Sequence, residues 1–130
     1  MKNRMLAIAV IAVMVVGFSA CKSKTKSDDN VIQGFKVNNV DYDVNKSSGD
    51  ITKSYQKASE LTWTGFPTGE QTPQIVGLPK NAKTDPDPVK LNFNVPQTEG
   101  VHVVGTFAVV AENGDRKNYS VKVTREAMSN

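Results

Sequence analysis

Short runs of alternating apolar and polar residues fill most of the chain, and turn-forming residues separate them. Phe35 and Val37 alternate with polar neighbours, and so do Val40, Tyr42 and Val44. Asn38-Asn39 lies between these runs; asparagine tolerates positive φ, so the pair predicts a two-residue hairpin turn. Residues 46–50 read as a loop, and Ile51, Lys53 and Tyr55 predict a third strand. Leu61 and Trp63 predict a fourth, stopped by Gly65-Phe66-Pro67-Thr68-Gly69, and residues 74–78 a short fifth. Residues 78–88 hold three prolines and two Asp-Pro steps, as expected of a loop crossing an end of a sheet. Val89, Leu91, Phe93 and Val95 alternate with Lys90, Asn92 and Asn94, the pattern of a half-buried strand. Residues 103–111 are more continuously apolar and predict a central strand covered on both faces. Asn113-Gly114 is a strong hairpin signal, and Tyr119, Val121 and Val123 alternate on the return strand. No segment of this region has helical periodicity. About seven strands at regular spacing predict an all-β sandwich with Phe35, Phe93 and Phe107 in its core.

The N-terminus follows a different pattern. Lys2 and Arg4 precede an uncharged run over residues 5–18. A run of roughly 14 residues matches the apolar region of a signal peptide and is short for a membrane span, which needs about 20. Ser19 and Ala20 are small, as a cleavage site requires, and Cys21 follows them. Cys21 is the single cysteine, so it has no intramolecular disulfide partner. Residues 22–30 contain no apolar side chain and predict a flexible, solvated linker. The chain thus divides into a leader over 1–20, an anchor and linker over 21–30, and one domain over 31–130.

Charge adds little once the leader is set aside. The chain has 16 Lys+Arg and 13 Asp+Glu, a net +3. Lys2 and Arg4 leave with the leader, so 14 cations face 13 anions. A mature chain near +1 lacks the basic excess of a nucleic-acid binder, and none is expected as a partner.

Phe18-Ser19-Ala20-Cys21 is similar to the lipobox of bacterial lipoproteins, with Phe18 where Leu, Val or Ile is commoner. That resemblance implies a diacylglycerol on the Cys21 thiol, removal of the leader and acylation of the new amino group. Two or more acyl chains give stable membrane anchoring. Ser27-Asp28-Asp29 resembles the acidic surface-export signal of Bacteroidota lipoproteins, with lysines placed ahead of it. It implies an outer-membrane lipoprotein displayed at the cell surface. Residues 107–124 resemble the terminal hairpin of bacterial Ig-like, cadherin-like β-sandwich modules, in which Ala-Glu-Asn-Gly is followed by Tyr-x-Val-x-Val-Thr. Residues 32–40, from Ile32-Gln33-Gly34-Phe35 onward, are similar to the start of such modules. The resemblance implies a fold and an extracytoplasmic setting; it does not imply catalysis and supplies no functional residues to carry over.

The residues themselves offer little catalytic chemistry. His102 is the single histidine and reads as a strand or loop residue, without a neighbouring nucleophile and orienting group. One histidine and a lipidated cysteine leave too few ligands for zinc. Asp85 and Asp87 in a loop, and Asp41 and Asp43 on one strand face, carry oxygen ligands but form no complete calcium loop, so they read as solvated charge. The chain is therefore expected to be non-enzymatic, with no metal and no cofactor. Trp63, Phe66 and Tyr55 are the ligand-binding candidates, because flat amphipathic rings suit sugar faces. The alternation of Trp63 with Leu61 favours a core position for the indole, whereas Phe66 lies in the loop itself. Three functions follow: a binding or accessory module for a partner protein, a carbohydrate-binding surface lipoprotein, or an inhibitor of a secreted hydrolase or protease acting through loop 65–69.

Overall fold

The computed structural model describes residues 26–128. Cys21, the expected leader and the lipobox-like residues 18–21 lie outside the described residues. Within them the fold is all-β, with eleven strands and no helix.

β1 (Gly34–Val37) and β2 (Val40–Val44) form the expected hairpin, with Val37 opposite Val40. Asn38 and Asn39 have φ of 51° and 66°, the left-handed pair that a tight hairpin turn requires. Alternation sends Phe35, Val37 and Tyr42 inward. β2 then changes partner. Its first half pairs with β1, while Asp43 and Val44 pair with Thr52 and Ile51 of β3 (Asp50–Tyr55). β3 runs parallel to β11 (Arg116–Arg125), which is antiparallel to β10 (Gly100–Val110). β8 (Lys83–Asp85) pairs with the end of β10, and β7 (Gln74–Val76) with β1. The result is a mixed seven-strand sheet in the order β7-β1-β2-β3-β11-β10-β8.

That sheet is curled. β1 and β10 stand four strands apart, about 19 Å at the usual strand spacing. Yet the rings of Phe35 and Phe107 stack with centroids 5.9 Å apart, and Phe107 stacks on Tyr119 at 5.2 Å. The two ends of the sheet therefore face one another across one core, an arrangement consistent with a β-sandwich. Ile32, Ile51, Leu91, Val109, Val121 and Val123 fill the space between them, each essentially without solvent contact.

Three local expectations need correction. Val89, Leu91 and Phe93 are buried as their alternation requires, but only Leu91–Asn92 (β9) form a ladder, with Glu70–Gln71 (β6). Pro88 and Pro96 bracket this run and donate no backbone hydrogen bond, which shortens the strand. β10 is covered on both faces only toward its end. Phe107, Ala108 and Val109 are all buried, whereas Val101 and Val103 are 63% and 54% exposed. A bulge separates the halves, between Val103 and Gly105, where Leu91 of β9 packs so closely that a Cβ on Gly105 would lie 2.7 Å from its Cδ2. The expected hairpin at Asn113-Gly114 does form, through a three-residue turn in which the Ala111 N–H donates to the Asp115 carbonyl and Gly114 takes φ 97°. Residues 27–30, expected within a flexible linker, are held to that turn. The Asn113 N–H donates to the Ser27 carbonyl and the Ser27 N–H to Glu112 Oε1, at 3.0 and 3.2 Å.

The incoming chain is latched once more, by Tyr119. Its hydroxyl donates to the Asn30 carbonyl at 2.9 Å and accepts from the buried Ile32 N–H at 3.2 Å. Burial raises its pKa, so the proton needed for donation is retained. Tyr119→Phe leaves both backbone groups without this partner and is expected to cost about 1–3 kcal/mol in chemical denaturation, with the fold kept. A variant as stable as the parent would show that the latch contributes nothing.

Candidate functional site

The expected aromatic residues lie at the end of the domain away from the Asn113 turn. Lys57–Ser59 (β4) and Thr62–Trp63 (β5) form a small hairpin, and Leu61 occupies its turn with φ 61°. Leu61 does not alternate inward with Trp63; the turn turns its side chain outward, 56% exposed. A non-glycine residue in this conformation costs roughly 1–2 kcal/mol.

Trp63 points inward and is 5% exposed, and its indole N–H donates to the Glu126 carbonyl at 2.9 Å. Tyr55 is equally buried and shares a hydrogen bond between hydroxyls with Tyr42. Burial first, and then that bond, drive the Tyr42 pKa far upward, so the pair stays neutral. Phe66 is half-buried. Its ring meets Tyr55 at 5.1 Å and Phe93 at 5.8 Å, both edge to face. Trp63, Phe66 and Tyr55 thus come together, as core and core edge rather than as an open platform.

What joins them is Arg125, the last residue of β11. Its guanidinium carbon lies 4.7 Å from the Trp63 ring centroid and 3.8 Å from that of Phe66. Both distances are within cation–π range. The residue is 5% exposed, and its Nε has no hydrogen-bond acceptor among the described residues. Burial lowers its pKa, because desolvation disfavours the charged form. On the same indole, Lys57 Nζ lies 5.2 Å from the ring centroid, and its charge is met by Glu99 at 2.8 Å.

Trp63, Phe66 and Arg125 line a cleft of about 250 Å³. Leu61 and the 65–69 loop contribute to its wall, and Thr62, Thr68, Asn94 and Gln97 add neutral polar groups. The lining contains a guanidinium but no carboxylate, imidazole or thiol. It offers charge and hydrogen bonds rather than a proton-transfer couple.

The remaining candidates are elsewhere. His102 sits on β10, half-buried, with Nε2 donating to the Thr98 carbonyl at 2.7 Å. Asp85 pairs with Arg116 at 3.0 Å, and Asp41 approaches Lys36 at 3.7 Å. No three His, Cys, Asp or Glu side chains converge among the described residues. Arg125 is the residue that sequence reasoning passes over, although a signal exists: Tyr119, Val121 and Val123 face inward, and the next position in that period is Arg125. No family model, curated protein or solved structure matches this chain.

Proposed function

We propose that this is a non-enzymatic lipoprotein, anchored through acylated Cys21 in the outer membrane of a Gram-negative bacterium of the Bacteroidota, whose Ig-like domain binds a partner protein through the Arg125 cleft. One observation carries the reading: the cleft and the incoming chain lie at opposite ends of β11. Residues 27–30 are tied to the turn that precedes Arg116, and Arg125 ends the strand. Nine residue steps of strand lead from Arg116 to Arg125, roughly 30 Å. From Cys21 to Ser27 the chain reaches at most about 21 Å. A domain tethered this way keeps the turn near the bilayer and turns the cleft outward, toward a partner. A cleft with donors, acceptors and an apolar rim, and without an acid–base pair, supports binding over catalysis.

Two measurements in cells test this. Cys21→Ser is expected to release the protein from the membrane fraction or leave a longer precursor; unchanged fractionation and size refute the anchor. A photo-crosslinking side chain in place of Leu61 is expected to trap a discrete protein adduct, while one in place of Asn113 at the opposite end does not. Equal adducts from both positions, or none from position 61, refute the outward-facing binding end.

A further inference from the structure

We propose that the Arg125 cleft is a carboxylate pocket, and that its occupant is an acidic side chain of the partner polypeptide. The partner's being a polypeptide rests on the binding reading above; the carboxylate chemistry stands on the pocket itself. A guanidinium carries five N–H donors in one plane. Trp63 and Phe66 interact with its charge through their rings, but a ring is a poor substitute for an acceptor in that plane. The Nε hydrogen has no acceptor among the described residues, and no carboxylate there lies within ion-pairing distance of Arg125. A cation withdrawn from water without a counter-charge is unfavourable, and a ligand anion would remove that deficit.

The charge count selects the kind of anion. Lys57, the second cation on the Trp63 ring, is already neutralised by Glu99. One positive charge remains, which matches a carboxylate better than a phosphate dianion. A carboxylate accepts two parallel hydrogen bonds from a guanidinium, whose planar fork fits it. Thr62, Thr68, Asn94 and Gln97 supply further donors to its oxygens, and exposed Leu61 meets the aliphatic part of the side chain at the rim. An acidic sugar would present the same group, but it would also use an open ring face for stacking. Of the rings at its mouth, Trp63 is only 5% exposed, and the Arg125 guanidinium already lies 3.8 Å from the centroid of half-buried Phe66, so neither is free for such stacking.

The test uses the full chain in detergent, observed through the Arg125 Nε–H and Trp63 indole resonances. The titrant is N-acetyl-glutamate methylamide, compared with its glutamine analogue, glucuronate and inorganic phosphate. The glutamate compound is expected to give saturable shifts, and the glutamine analogue to bind about tenfold more weakly or worse, as loss of a charged hydrogen bond implies. Arg125→Met is expected to abolish the shifts at the Trp63 indole while the thermal transition is retained, since an apolar side chain of similar reach replaces an uncompensated charge. Should that variant fail to fold, Arg125→Lys keeps the charge without the fork and is expected to bind at least several-fold more weakly. Equal binding of the glutamine analogue, absence of saturable shifts, or undiminished binding by both Arg125 variants overturns the pocket. Tighter binding of phosphate overturns the carboxylate assignment, and tighter binding of glucuronate overturns the polypeptide occupant. A null titration leaves the position-61 crosslink unaffected, so the pocket and the binding end fail separately.

Discussion

Phe35→Ala is expected to lower stability by about 3–5 kcal/mol, enough to unfold much of a marginally stable small domain. The ring is 1% exposed and stands where the two ends of the sheet meet, against Phe107 on one side and Tyr42 on the other. Its removal takes away transfer free energy and leaves a cavity that rigid strands on both sides cannot close. Urea denaturation followed by tryptophan fluorescence measures the loss, since Trp63 belongs to the same core. Phe35→Leu, which retains most of the volume, is expected to cost less than half as much. A loss below about 1 kcal/mol for the alanine variant, the range typical of surface positions, would mean that the sheet does not close over Phe35.

Gly49→Ala is the second large effect, and its mechanism is different. Gly49 lies between β2 and β3 with φ 82°, a conformation that disfavours any side chain. A Cβ there would stand 2.3 Å from the Asn118 carbonyl oxygen, which belongs to the backbone of β11. The Gly49 carbonyl also accepts from the Ser120 N–H at 3.0 Å, so the loop cannot move off without breaking the start of the β3–β11 pairing. Gly114 supplies the control. It has φ 97° and nothing within 4 Å of its would-be Cβ. Gly114→Ala should therefore show the conformational cost alone, about 1 kcal/mol. Gly49→Ala adds the clash and is expected to exceed it by at least about 2 kcal/mol, a value reserved for buried or strained positions. Equal losses in the two variants would show that the contact with Asn118 is not tight.

Much of this architecture is legible in particular residues. Asn38-Asn39 and Asn113-Gly114 announce the β1–β2 and β10–β11 hairpins, because tolerance of left-handed backbone is a property of the residue itself. Alternation correctly places Phe35, Tyr42, Ile51, Tyr55, Leu91, Phe93, Tyr119, Val121 and Val123 inward. It misplaces Leu61, which the β4–β5 turn carries outward, and it overstates the strand around Leu91, where the paired ladder is only two residues long. Inward direction is local geometry; a hydrogen-bonded neighbour is not. The candidate site was legible only in pieces. Trp63, Phe66 and Tyr55 stand out by type, but nothing near them in sequence places Arg125 between two of their rings.

The sequence by itself determined the all-β class, the hairpin ends, the inward face of most strands and the expectation of an anchor at Cys21. Each rests on chemistry within a few residues: a period of two, a turn conformer, or an uncharged run with small residues and a thiol after it. Tertiary structure alone decided that β2 changes partner midway, that β3 runs parallel to β11, and that Phe35 lies on Phe107. It also decided that Arg125 is buried against aromatic rings with no carboxylate beside it among the described residues. Those outcomes depend on closing long loops so that distant strands share one core, and the apolar surface that drives closure carries no address for its partner.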